Sequence, residues 1–205
     1  MSTVYPRHNA FAGLIDGNDT TWNALAKRVH YDNVAKGFWP DEGRNFGEII
    51  ALMYSELTEA FEGWNVPDKS QLMDEKVPQY YNAFVEIADC AIRLLDMLGI
   101  YDSDIDLLNT HDYISNLVDA DTDKRTKISW CMSFETNLNV IGKYLGDALE
   151  ADRKGSEDDR VENLEHAFMC CLAFLEEFQQ PARAIIDAKL AYNRARPYKH
   201  GKAFG

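Results

Sequence analysis

An all-α helical bundle is the fold class the sequence predicts, and three observations predict it. Apolar residues recur at helical spacing: positions 46, 49, 50, 53, 57, 60, 61 and 64 follow the i, i+3, i+4, i+7 rule of one helix face. No stretch shows a convincing period-two alternation, the mark of a half-buried strand. Glycine and proline fall between the periodic stretches, where helices stop and start.

A first helix is predicted over 21–35, with Asp19 or Thr20 as its cap. "KGFWPDEGRN" breaks it, because Gly37, Pro40 and Gly43 punctuate a loop that carries Phe38 and Trp39. The second helix covers 45–64. "NVPDKSQLMDEKVP" is a polar connection, and Pro78 suits the first turn of a third helix that runs to 98 and stops at Gly99. "DSDIDLLNTHDYISNLVDA" predicts a shorter helix. A long one follows over 124–154, ended by Gly155. "SEDDRVENLEHAFMCCLAFLEEF" makes another, with acids in its first turn where the helix dipole favours them. Pro181 starts the last helix, which runs to about Asn193. The tail "RARPYKHGKAFG" is irregular and is the marked basic cluster of the chain.

The 205 residues suffice for one sizeable core, and 46% hydrophobic with 27% charged residues fits a soluble globular chain. A net charge of −13 argues against sequence-independent binding to nucleic acid or to an anionic membrane. No apolar run approaches the roughly 20 residues that span a bilayer. "MSTVYPRHNAFAG" lacks the basic-then-apolar order of a signal peptide. The four cysteines, at 90, 131, 170 and 171, form no C-x-x-C pair and stand among apolar helical residues. They read as reduced core thiols, and the expected location is cytoplasmic.

Four acids carry the chemical signal. "LMYSELTEAFEGW" places Glu56 and Glu59 three residues apart, and "FVEIADCAIRLLD" does the same with Glu86 and Asp89. Residues three apart share nearly one helix face, and each pair borders an apolar stripe. Antiparallel packing of the two helices would bring the pairs face to face. Four gathered carboxylates repel and raise one another's pKa values. A hard divalent cation relieves that repulsion, and all-oxygen ligation suits Mg²⁺ or Mn²⁺. The competing reading is a solvated face, since 34 acidic residues generate such spacings by chance.

Arg93 and Asp96 extend the same face of the third helix at i+4 and i+7 from Asp89. They read either as an orienting ion pair or, for Arg93, as a phosphate contact. None of the five histidines has a glutamate three residues before it, so the di-iron signature is missing. His111–Asp112 is a His-Asp dipeptide, which raises an HD-type nucleotide phosphohydrolase as an alternative.

"KGFW", "RNFGEIIALMYSELTEAFEGW", "EIADCAIRLLD" and "AKLAYNRARPYKHGKAF" together resemble the MazG-like all-α nucleoside triphosphate pyrophosphohydrolases, a superfamily that includes dimeric dUTPases and dCTP pyrophosphatases. The resemblance covers about 30–102 and 185–204. It implies Mg²⁺, with Mn²⁺ able to substitute, held by Glu56, Glu59, Glu86 and Asp89. It also implies cleavage of a nucleoside triphosphate into monophosphate and pyrophosphate. Many members begin the first motif with two consecutive acids, whereas Ser55 precedes Glu56 here. The water-activating base then falls to Glu56 or Glu59. Lys189, Asn193, Arg196, His200 and Lys202 match the phosphate-side closing segment of the family. Lys199 and Arg93 join them as candidate phosphate contacts, and Trp39, Asn33 and Phe38 are candidates for the base.

So read, 1–205 is a single domain. Residues 20–104 form the catalytic helices, 105–180 an extra helical segment, and 181–205 the last helix with its closing tail. The expected partner is a nucleoside triphosphate, with no nucleic acid and no membrane, in a homo-oligomer with a dimer favoured. The extra segment weakly echoes the first helix pair. "WCMSFETNLNVIGKYL" and "LEHAFMCCLAFLE" repeat the apolar pattern, but Phe168 falls where Asp89 stands. Its surviving acids, Glu135 and Glu165, are expected to bind no metal. The alternative function is a non-catalytic helical scaffold that binds metal or nucleotide.

Overall fold

The computed structural model describes residues 4–5, 21–68, 71–101, 103, 105 and 133–198. Among these the chain is mainly helical, as the periodicity predicts. The helices are α1 (Trp22–Ala35), α2 (Phe46–Trp64), α3 (Asn82–Leu98), α4 (Phe134–Lys154), α5 (Glu157–Glu177) and α6 (Ala182–Ala195). A two-residue antiparallel pair, Val4–Tyr5 against Arg44–Asn45, is a small departure from the expectation of no strands.

Side-chain caps fix several helix starts. Thr21, not Asp19 or Thr20, accepts the Ala24 N–H at the head of α1. Asn45 accepts the Glu48 N–H, which makes it the cap of α2 rather than its first residue. Ser133 caps α4 through the Thr136 N–H. Gly155 ends α4 with a φ of 75°, a left-handed turn that glycine adopts without penalty.

The start of α3 differs more. Pro78 does not open it. Asp74 Oδ1 accepts the N–H groups of Lys76 and Val77, and Tyr80 N–H donates to Val77 O. These bonds close a local turn over 74–80 and hold its backbone out of the helix. The helix begins only at Asn82, after Tyr81 bridges back to Met73. Apart from residues 103 and 105, the short helix predicted over 102–120 lies outside the described residues, as does the 124–132 start of the next.

Helix α3 is the axis of the molecule, with 14 of its 17 residues buried. It packs against α1, α2, α5 and α6. Helix α2 runs antiparallel to it, since Gly63 meets Asn82 at one end while Glu56 reaches Arg93 further along. Helix α1 crosses the far end of α3. A Cβ on Gly99 would stand 2.4 Å from the Ala26 carbonyl oxygen, so only glycine permits that approach.

Helices α4 and α5 form a tight hairpin that lies on α2 and α3. Both bury mainly apolar residues: Leu138, Ile141, Leu145 and Ala148 on α4, and Leu164, Ala167, Phe168 and Cys171 on α5. Where this hairpin meets the first pair, Trp64 stacks on Phe134 at 4.4 Å, with Phe84, Phe174 and Phe178 around them. Cys90, Cys170 and Cys171 are free and buried. No helix among the described residues is long and apolar enough to cross a membrane.

Candidate metal centre

Helix α3 is nearly all apolar, yet it carries Asn82, Glu86, Asp89, Arg93 and Asp96. At about 100° per residue these five fall within an arc of about 80°. One polar stripe therefore runs along an otherwise buried helix, and every member finds its partner on another element or one turn away.

Three acids meet in the middle of this stripe. One carboxylate oxygen each from Glu56, Glu86 and Asp89 lies within 4.8 Å of the other two. Glu56 and Glu86 are buried and Asp89 is half-buried. Glu56 Oε1 accepts from Arg93 Nε at 2.7 Å and pairs with Nη2 at 2.5 Å. Asp89 Oδ2 pairs with Lys189 Nζ of α6 at 2.5 Å. Glu86 Oε1 accepts from Asn82 Nδ2 at 3.0 Å, and the same amide donates to Asp74 Oδ2. Glu86 Oε2 is buried with no partner at all.

Burial and its neighbours push the Glu86 carboxyl up to about 8. After burial the main cause is the Asp89 charge, against the opposing pull of Lys189. The Asp89 carboxyl is also raised, first by burial, with Lys189 opposing and Glu56 adding to the rise. Lys189 loses proton affinity to burial but gains more from Asp89, Glu86 and Asp74, so its ammonium is held charged.

These residues fit a divalent cation. The donors are all oxygen, they converge from two helices, and a buried carboxylate oxygen stands unpaired among them. Arg93 and Lys189 pair with Glu56 and Asp89, and neither bonds the Oε2 of Glu86.

Glu59 is the exception among the four predicted acids. It is exposed and stands outside the group. The buried arc of α2 is centred on Met53, Ala60 and Phe46, and Glu56 sits at its edge. Three residues on, Glu59 is turned by a further ~60° away from that centre, into solvent.

The predicted base contacts are placed differently from expectation. Trp39 is 1% exposed, so it is a core residue and offers no open face for stacking. Its indole N–H reaches both oxygens of Asp96 at 3.1 Å. Asp96 also accepts from Asn33 Nδ2 at 2.8 Å and bonds His30 Nδ1 at 2.9 Å. The punctuated loop folds inward because a buried carboxylate waits there for the indole. Asn33 and Phe38 remain half-buried.

The predicted phosphate contacts divide into three groups. Lys189, at 2% exposed, lies inside the acid cluster rather than facing a ligand from its rim. Arg93 joins the cluster from α3, with its side chain 37% exposed. Arg196 lies over the Tyr192 ring, and its carbonyl accepts from Lys36 Nζ. Lys199, His200 and Lys202 lie outside the described residues, as does His111–Asp112.

Sequence reasoning missed Asp74, Asn82 and His30. Asn82 stands one helical turn before Glu86, a spacing that could have marked it. The echo acids form no second centre among the described residues: Glu135 is exposed, Glu165 is half-buried, and Phe168 is fully buried against Trp22. A cleft of about 650 Å³ opens between α2 and α4, lined by Tyr54, Leu57, Phe61 and Leu138. Tyr54 lies about 160° around α2 from Glu56, so that cleft is separate from the acids.

No protein-family model, curated protein or solved structure matches the chain.

Proposed function

We propose that this chain is a divalent-metal-dependent nucleoside triphosphate pyrophosphohydrolase, releasing a nucleoside monophosphate and pyrophosphate. One observation carries the reading: three carboxylates from two antiparallel helices converge, with one buried oxygen unpaired and two basic side chains at hand. The sequence resemblance supplies the reaction class.

Glu56, Glu86 and Asp89 would hold Mg²⁺ or Mn²⁺. A bound ion would supply Lewis acidity, which lowers the pKa of water and offsets phosphate charge. Asn82 and Asp74 orient Glu86, leaving its second oxygen open. Arg93 has the exposure to turn from Glu56 to a phosphate, and its planar fork suits that partner. With Glu59 in solvent, Glu56 is the remaining acid of the first motif for accepting a proton from water. Nucleotide-pool control is the cellular role that such a reaction serves.

A second reading is a non-catalytic scaffold, and one observation favours it. Glu56 and Asp89 are already paired, so much of the cluster's charge is satisfied within the chain.

The deciding experiment is a panel of ribo- and deoxynucleoside triphosphates with Mg²⁺, scoring pyrophosphate against single phosphate. Pyrophosphate release that EDTA abolishes is the expected result. Stepwise phosphate release, or metal-independent turnover, would sink the assignment. Metal binding without any turnover would leave the scaffold.

A further inference from the structure

We propose that Lys189 is the resident counter-ion of the acid cluster, the group that a divalent cation displaces and that then turns its free donors to an anionic substrate. The inference rests on reading Glu56, Glu86 and Asp89 as a cation site.

The argument starts from where the ammonium stands. Lys189 projects from α6 into the seam between α2 and α3, and its side chain is 3% exposed. Nζ lies 2.5 Å from Asp89 Oδ2, while Glu86 and Asp74 are its further charged neighbours. Arg93 faces the same carboxylates from α3. An ammonium carries three donors, and a buried one is normally saturated. This one has no hydrogen-bond partner beyond its pairing with Asp89. The Oε2 of Glu86 is likewise buried without a partner, so one cluster holds both an ammonium with unspent donors and a carboxyl oxygen with no donor.

A packed, stable salt bridge would not leave both unspent. A site with two occupancies would. Without an ion, the ammonium offsets the Asp89 charge and the cluster holds together. A divalent cation among the same oxygens would place like charges a few ångströms apart, so Asp89 cannot serve both fully. The released Nζ needs acceptors, and phosphate oxygens supply them. Cation and phosphate binding then become cooperative through one side chain, and the coupling is reciprocal. Arg93 is less suited to this role, because its half-open side chain can leave Glu56 for water without a ligand.

The test uses the whole chain and Mn²⁺ alone, with free Mn²⁺ read by electron paramagnetic resonance. Lys189→Met should bind Mn²⁺ about tenfold more tightly than wild type, because a competing positive charge is gone. Lys189→Arg keeps the charge and should stay close to wild type. Lys189→Gln serves as a second neutral variant if the methionine variant does not fold. At saturating Mn²⁺, inorganic tripolyphosphate should bind wild type about tenfold more tightly than Lys189→Met, since the donors are lost. Equal or weaker Mn²⁺ binding by both neutral variants would overturn the proposal. No Mn²⁺ binding by any protein would overturn it together with the metal centre. The expected Mn²⁺ pattern without nucleotide turnover would keep the counter-ion and discard the enzyme.

Discussion

The two antiparallel helix pairs, α2–α3 and α4–α5, solve one packing problem in two ways. Both bury an apolar face at helical spacing. Most of the buried residues of α4 and α5 are apolar. Its buried ion pair, Arg160 with Asp152, stands beside the connecting turn. Along α3, by contrast, a polar stripe runs from Asn82 to Asp96 and draws partners from α1, α2, α6 and the 74–80 turn. The apolar pair is built for stability. The striped pair carries raised carboxyl pKa values and an unpaired carboxyl oxygen, a strain of the kind that gathers at functional sites, whereas the unpaired Oδ1 of Asn137 on α4 belongs to an uncharged amide.

Exchanging the two characters should have the largest effect. Phe168→Asp would put a carboxylate at a fully buried position packed on Trp22. Destabilisation above about 4 kcal/mol is expected, read by urea unfolding. A well-folded variant that gains metal binding would show that the second pair can also host a site. The reverse region should respond in activity. Asp89→Asn should cut pyrophosphate release on the order of 10²-fold while circular dichroism stays helical. Full activity would reduce the stripe to a structural seam.

Trp39→Phe tests the far end of the stripe. It removes the indole donor to Asp96 and should cost about 1–3 kcal/mol, with Mn²⁺ affinity unchanged. An unchanged melting temperature would show that the Asp96 hub does not hold the loop.

The pH dependence of the metal-free chain should also separate the two pairs. Between the ordinary carboxylate range and about 8, the folded chain keeps a proton on Glu86 that the unfolded chain has released. Folded protein then binds more protons, so stability falls as pH rises through that window. Thermal melts from pH 5 to 8 should decline, and Glu86→Gln should flatten the profile. A level wild-type profile would contradict a costly buried charge at Glu86. The smallest effects are expected at Glu59→Gln and Glu165→Gln, each within about threefold of wild-type Mn²⁺ affinity, since neither joins the cluster. A tenfold loss at Glu59 would restore it as a ligand.

The helices were legible because their apolar spacing is local information. So were Glu86 and Asp89, which border the α3 stripe as predicted. Glu59 was misplaced, although the geometry was available: measured from Met53 and Ala60, it points away from the core. Trp39 and Lys189 could not have been placed. A tryptophan among Gly and Pro looks like a surface platform unless its acceptor is known, and Asp96 is 57 residues away. A lysine in a basic closing segment reads as a phosphate contact, and its pairing with Asp89, 100 residues away in the sequence, shows only once its helix is seen to enter the acids. Long-range pairing decides both, and no local pattern encodes it.

The two pairs also differ in when they can form. Helices α4 and α5 are joined by Gly155 and Ser156, so their contacts close short loops at small entropic cost. The stripe needs partners from distant parts of the chain, such as His30 with Asp96 across 66 residues. The hairpin is therefore expected to gain amide protection first during refolding, with α1 and α6 docking last. Pulse-labelled hydrogen exchange would report that order. Protection of α1 together with α3 ahead of the hairpin would reverse it. Under the expected order, the centre assembles onto a scaffold that is already folded, and the last helix to arrive brings its own cation with it.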